Sequence, residues 1–178
     1  MRLETERLIL RPWRDEDRAP YAQMMADPEV GYWLGGTLTA AQVNAQIDRA
    51  VAQLADGGPS MVAVERRSDG VFLGASGLML VHVSLPLAGE VEIEWRLARA
   101  AWGVGYATEA AGEVARYGFG ELGLETIVAF TAVSNHRSRA VMERLGFERQ
   151  PWRDFDHPNL ALDHPLRRHV VYALSRNP

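Results

Sequence analysis

Apolar and polar positions alternate from the start of the chain. In RLETERLILRPW, Leu3, Leu8 and Leu10 alternate with polar partners, the period-2 pattern of a first strand. DEDRAPYAQMMADPE has acidic residues in its first turn and Pro28 near its end, which predicts a helix ended by that proline. TAAQVNAQIDRAVAQLADGG is the clearest helix: Thr39 caps it, Val43, Ile47, Val51 and Leu54 fall on one face, and Gly57-Gly58 stops it. Three strand-like runs follow, SMVAVERR, VFLGASGLMLVHV and EVEIEWRLA, and the turn RSDGV makes the first two a hairpin. YATEAAGEVARYGFGELG then places Ala107, Ala110, Ala111 and Val114 at helical spacing. TIVAFTAV is a short, β-branched apolar run, the form of a buried strand. NHRSRAVMERLG is a short helix with Asn135 at its cap and Gly146 past its end. FERQPWRDF and RRHVVYALSR are final strands around a proline-marked loop. The pattern predicts one α+β domain over residues 1–178, a mixed and mostly antiparallel sheet of about seven strands flanked by about four helices.

Composition narrows the chemistry. The 178 residues suffice for a real core, and 47% hydrophobic with 24% charged residues is the balance of a globular domain. No apolar run has bilayer length and the opening Met1-Arg2-Leu3-Glu4 is unlike a signal peptide, so a cytoplasmic protein without a membrane partner is expected. A net charge of -4 argues against nucleic acid as a partner. Without cysteine there is no thiolate nucleophile and no thiolate metal site. All 19 basic residues are arginine, as codon bias in a GC-rich genome would produce. The absence of lysine nonetheless removes Schiff-base and P-loop chemistry. His136, His157, His164 and His169 show no metal spacing, and no metal is expected.

One stretch weakens its own backbone. RAAWGVGYATEA puts Gly103 and Gly105 between a strand and a helix, where the first helical amides lack partners and the helix dipole favours an anion. A tight turn without any ligand explains two glycines equally well. A dinucleotide fingerprint fails, because Thr108 stands where the third glycine belongs and the next strand ends AVSN, without an acidic residue for a ribose.

WGVGYATEA, followed after one strand by NHRSRAVMERLGF, resembles the acetyl-CoA signature of the GNAT superfamily of N-acetyltransferases. Within it the chain is similar to the ribosomal-protein-alanine (RimJ/RimL-like) branch, whose members also open with a strand like TERLILRPW. The resemblance spans nearly the whole length and implies that fold, with two central strands splayed to bind acetyl-CoA. The loop pattern Q/R-x-x-G-x-G/A falls on Trp102, Gly103, Val104, Gly105, Tyr106 and Ala107, with Trp102 where Gln or Arg is usual. By the resemblance, the amides of residues 103 to 108 and the Thr108 hydroxyl cradle the CoA pyrophosphate. Trp95 offers its amide to the thioester carbonyl and Leu97 pairs with the pantetheine arm. Asn135 and Ser138 match N-x-x-S, Asn135 contacting the pantetheine end and Ser138 protonating the departing thiolate. Met142 stands where many members carry a tyrosine acid.

A base is also required, because an alkyl ammonium cannot attack. Glu92 and Glu94 share one strand face; Glu92 matches the branch's recurrent glutamate, and a solvated face explains either one as well. Trp13, Tyr32 and Trp33 are candidates for an acceptor slot, with core packing the alternative, and Asp27, Asp154 and Asp156 for drawing in a cationic amine. The implied activity is direct acetyl transfer from acetyl-CoA to a primary amine, either a protein N-terminus or a small-molecule amine, by a monomer or homodimer. A non-catalytic acyl-CoA-binding module is the alternative.

Overall fold

The computed structural model describes residues 1–176. One twisted sheet holds β1 (Leu3–Glu4), β2 (Leu8–Arg11), β3 (Met61–Arg66), β4 (Phe72–Leu80), β5 (Val91–Leu97), β6 (Thr126–Ala132), β7 (Glu148–Arg149), β8 (Phe155–Asp156) and β9 (Arg168–Ser175). The order is β1-β2-β3-β4-β5-β6-β9-β7, with β8 also paired to β9. Every pairing is antiparallel except β5 with β6. The helices are α1 (Arg18–Met25), α2 (Pro28–Tyr32), α3 (Ala40–Ala55), α4 (Tyr106–Gly120) and α5 (His136–Arg144).

Strand alternation divides the core between the two faces. On one face Ile93 and Leu97 join Leu78, Ile127 and the α4 residues Ala110 and Val114. On the other, α1 and α3 bury Tyr21, Met25, Val43 and Ile47 against Met61 and Ala75. A third cluster, around Val128, Phe155 and Val171, fills the far end of the sheet. The RSDGV hairpin joins β3 to β4, and Thr39 caps α3 in a reciprocal box with Gln42.

Local hydrogen bonding raises seven strands to nine and four helices to five. The Thr5 amide donates to Leu8 O (2.9 Å) and the Leu8 amide to Thr5 Oγ1 (3.0 Å), so the first strand turns back on itself as β1 and β2. Pro151 starts a 3-10 turn that cuts FERQPWRDF into β7 and β8. Pro28, expected to end a helix, instead begins α2, where its missing N–H costs nothing and Asp27 caps the Glu29 amide (2.8 Å). Along α3 the buried stripe runs Val43, Ile47 and Ala50, leaving Val51 44% exposed.

A buried ion cluster anchors the turn into α1. Arg11 donates bidentately to Asp17 (2.7 and 2.9 Å) and through Nε to Glu65 (2.7 Å), with both Arg11 and Asp17 side chains under 5% exposed. Removing one partner strands a buried charge. Asp17→Ala is therefore expected to lower stability by about 3 kcal/mol or more, read from urea unfolding; a loss under about 1 kcal/mol would mean water solvates Arg11 instead.

Candidate active site

The glycine loop is built around free amides. Gly103 (φ 81°) and Gly105 (φ 91°) both occupy the left-handed region, which turns the chain sharply from a 3-10 turn at Arg99–Ala101 into α4. The first intrahelical bond runs from the Glu109 amide to Gly105 O (3.1 Å). Among the described residues, none of the amides of residues 103 to 108 donates to a protein acceptor. Six N–H groups at the positive end of a fifteen-residue helix are thus left without a protein acceptor. No Cβ projects from Gly103 or Gly105 to obstruct them, and a polyanion of diphosphate kind fits that arrangement.

The loop is braced rather than loose. Trp102 donates its indole N–H to Leu97 O (2.7 Å), and the guanidiniums of Arg99 and Arg137 lie over its ring, 5.1 and 5.0 Å from the centroid. Glu109 would repel an anion one turn into the helix, but Thr5 Oγ1 (2.6 Å), the Arg7 amide (2.9 Å) and Arg7 Nε (2.7 Å) all donate to it. Burial pushes the Glu109 carboxyl upward, and these bonds outweigh it, holding the group below its ordinary range. Arg7 also donates to Val104 O (3.0 Å) and lies over the Tyr106 ring.

A cavity of about 1000 Å³ runs from this loop through the sheet. Its passage is the gap between β5 and β6, which pair only at Glu92 and Val128. In an antiparallel ladder alternate residues turn their backbone groups away from the partner. The bonds from Ala98 N–H to Leu73 O (2.8 Å) and from Val81 N–H to Glu90 O (2.9 Å) fix that phase. Val91, Ile93, Trp95 and Leu97 therefore direct N–H and C=O away from β4. Past the Glu92–Val128 pair, the amides of Trp95 and Leu97 face the gap. The Leu97 carbonyl is already taken by Trp102, so Leu97 offers only its N–H there.

The side chains of Glu92, Glu94 and Arg96 alternate onto the opposite sheet face and border the cavity. Glu94 and Arg96 form an ion pair. Glu92 is 9% exposed and, among the described residues, has no charged partner within salt-bridge reach. Burial, reinforced by the Glu94 charge and opposed by Arg96, pushes its carboxyl up to about 8. The solvated-face alternative therefore fails for Glu92. Arg96 is a site residue that sequence reasoning missed, although the E-x-E-x-R period was there to read.

At the other lip of the gap, Asn135 caps α5. Its Oδ1 accepts from the Ser138 amide (3.3 Å) and its Nδ2 donates to Thr131 Oγ1 (3.0 Å), fixing both ends of the side chain. Ser138 borders the cavity and Met142, 1% exposed, forms part of its floor. Arg137 and Arg144, one face of α5 at i and i+7, also border it, and neither forms a salt bridge among the described residues. No sequence motif marks them; only the helix face they share brings them to the cavity.

Of the residues predicted for the cofactor, Trp95, Leu97, Trp102, Gly103, Gly105, Tyr106, Ala107, Thr108, Asn135 and Ser138 all border this one cavity, as does Glu92. Val104 does not; its side chain is 51% exposed and its carbonyl is held by Arg7. The acceptor-side expectations fared worse. Trp13 lies in the second core cluster, donating to Met61 O (2.9 Å), and Tyr32 is half exposed outside the cavity; only Trp33 borders it. Asp27 is spent as a cap, Asp154 on Arg149 and the Val171 amide, and Asp156 on Arg167 and Arg168. His157 and His169, far apart in sequence, come together with ring centroids 5.0 Å apart at the cavity wall.

The chain as a whole has counterparts among known proteins. The acetyltransferase (GNAT) domain family matches residues 7–148. The chain belongs to that family. YkkB of Bacillus subtilis (strain 168), described as an uncharacterized protein, is 30% identical over 146 residues, 82% of this chain and 84% of that one. The uncharacterized N-acetyltransferase YoaA of the same organism is 28% identical over 150 residues, covering 83% of each. Among solved structures, an acetyltransferase from Agrobacterium tumefaciens superposes with a TM-score of 0.80 at 27% identity, over 99% of this chain and 95% of that one. RimJ of Mycobacterium smegmatis, solved with CoA-disulfide, shares the fold with a TM-score of 0.75 at 22% identity, over 94% and 81%. This GNAT chain also has no helix, among its described residues, long and apolar enough to cross a membrane.

Proposed function

We propose that the chain is an acetyl-CoA-dependent N-acetyltransferase of the RimJ/RimL-like branch that transfers acetyl directly to a primary amine in a ternary complex. One observation carries the reading: unpartnered amides at the head of α4 open onto a cavity that passes the Trp95 amide and ends at buried Glu92. The amides of residues 103 to 108 and the Thr108 hydroxyl hold the pyrophosphate, with Arg137 and Arg144 adding positive charge. The N–H groups of Trp95 and Leu97 receive the acyl-pantetheine arm in place of a strand partner. Trp95 N–H, fixed in direction by the ladder, stabilises charge developing on the thioester oxygen. Glu92, directly or through a water, takes the proton of the acceptor ammonium, and a base with a pKa near the working pH suits that task. Ser138 returns a proton to the leaving thiolate. Release of free thiol from acetyl-CoA across an amine panel, beside a thermal-shift measurement with CoA, tests the reading. Ligand stabilisation without thiol release for any amine would favour the non-catalytic module, for which Met142 in place of a tyrosine is the supporting observation.

The two α5 residues are expected to separate by readout. Asn135→Ala removes a cap worth about 1 kcal/mol together with the Thr131 bond, and should weaken CoA binding in protein verified as folded. Ser138→Ala should lower turnover only modestly, because a CoA thiolate leaves without help. CoA affinity unchanged in a folded Asn135→Ala protein would reduce that residue to a cap.

A further inference from the structure

On the Glu92 side of the sheet the cavity opens into a chamber that the proposed transfer assigns to the acceptor. The loop after α2, with Trp33 and Leu34, forms one wall, and the β8–β9 connection, with His157 and Leu160, forms the other. The two loops meet: a Cβ on Gly35 would lie 3.6 Å from the Leu160 methyl. Phe130, two residues along β6 from the Glu92 partner Val128, forms the floor with His169. Phe155 stands behind them, stacked on His169 at 5.4 Å and edge-on to Phe130 at 5.5 Å.

The charges of this chamber cancel. Arg96 neutralises Glu94. Burial keeps both histidines below their ordinary pKa, with Arg167 adding to the effect on His157 and His157 to that on His169, so both rings are neutral at neutral pH. Among the described residues that border the chamber, Glu92 is left as the one group able to answer a cation. Asp154 pairs with Arg149 and Asp156 with Arg167 and Arg168, and neither they nor Asp163 of the same loop borders the cavity. A second ammonium on the acceptor would give up water for aromatic rings and neutral imidazoles without a counter-ion, which is unfavourable.

We infer that the acceptor is a primary monoamine on an aromatic or otherwise apolar body, with no second charge: the amine meets Glu92 and the body lies against Phe130, His157, His169 and Leu160. This rests on the acetyltransferase reading. It sets aside polyamines and aminoglycosides, and also the peptide N-termini that the RimJ/RimL-like reading would suggest, because a peptide backbone brings polar groups that an aromatic wall leaves unbonded.

The test is thiol release by the full chain at saturating acetyl-CoA, with 2-phenylethylamine, tryptamine, spermidine, kanamycin and an N-terminal alanyl peptide. The apolar monoamines should exceed every other acceptor in kcat/KM by about tenfold or more. Leu160→Glu, at the partly exposed rim, supplies the missing carboxylate and should narrow or reverse the preference over spermidine, chiefly through KM. A higher kcat/KM for spermidine, kanamycin or the peptide in the wild-type protein would overturn the acceptor assignment and leave the transferase intact. An unchanged amine preference in Leu160→Glu would overturn the charge argument. Heat stabilisation by acetyl-CoA with no thiol release from any amine would overturn the inference together with the transferase reading beneath it.

Discussion

Replacing Glu92 with Gln is expected to lower turnover near neutral pH by about 100-fold or more while leaving acetyl-CoA affinity intact, because the amide keeps the shape and loses the basicity. The pH profile carries the stronger signature. In the wild-type protein, transfer through the Glu92 carboxylate to an ammonium acceptor should rise through about 8, where that buried group ionises, and level off or fall once the amine itself deprotonates. Glu92→Gln can use only acceptor that is already neutral, so its rate should climb about tenfold per pH unit toward the amine pKa, and the gap to wild type should close at high pH. Glu94→Gln removes the charge that raises Glu92 and frees the opposing charge of Arg96. Its profile should shift to lower pH with a milder loss. The same group leaves a mark on stability. Its pKa is raised on folding, so the favourable contribution of the protonated form is complete below the unfolded value and lost as pH rises through about 8. Glu92→Gln lacks that loss, and its melting temperature relative to wild type should increase between acid and alkaline pH. Wild-type turnover by the variant near pH 7, or a stability difference that does not change with pH, would remove Glu92 from the base role.

The cradle was legible in the sequence because it is local: two glycines, a helix start and a cap lie within short windows whose physics depends on near neighbours. Trp95 and Leu97 could be placed only through the family resemblance. The fact that matters, the direction of their amides, is set by bonds between residues about 25 apart, such as Ala98 to Leu73. The raised pKa of Glu92 was out of reach for the same reason, since it comes from burial beneath other elements. The acceptor side misled most. Aromatic and acidic residues are common on any surface; Asp27 is occupied by its own local cap, while only pairing with other elements shows that Asp154 and Asp156 are taken and that Trp13 belongs to the core. Fragmentation of FERQPWRDF was foreseeable, because Pro151 cannot donate within a ladder. His157 and His169, twelve positions apart on either side of a loop, carry no sequence trace of their meeting.

Gly105→Val should abolish the stabilisation that CoA and acetyl-CoA confer against heat. In the wild-type protein a ligand at 100 times its Kd raises stability by about 2.7 kcal/mol through mass action, because it binds the folded state alone. At Gly105 a side chain does two things. The φ of 91° lies where a branched residue is strained, at a cost of about 1–3 kcal/mol. The new Cβ also sits 3.3 Å from Arg7 Nη2, at the head of α4 among the free amides. Arg7 can move, since its side chain is 43% exposed, but the branched methyls would then occupy the space the diphosphate needs. Gly57→Val separates the two effects. Gly57 has a comparable φ of 76° with open space around its Cβ, and it ends α3 outside the cavity. It should therefore show a comparable loss of intrinsic stability and a full ligand-induced shift, whereas Gly105→Val shows the loss without the shift. A folded Gly105→Val protein that CoA stabilises as strongly as it does Gly57→Val would mean that the amides of residues 103 to 108 hold no pyrophosphate.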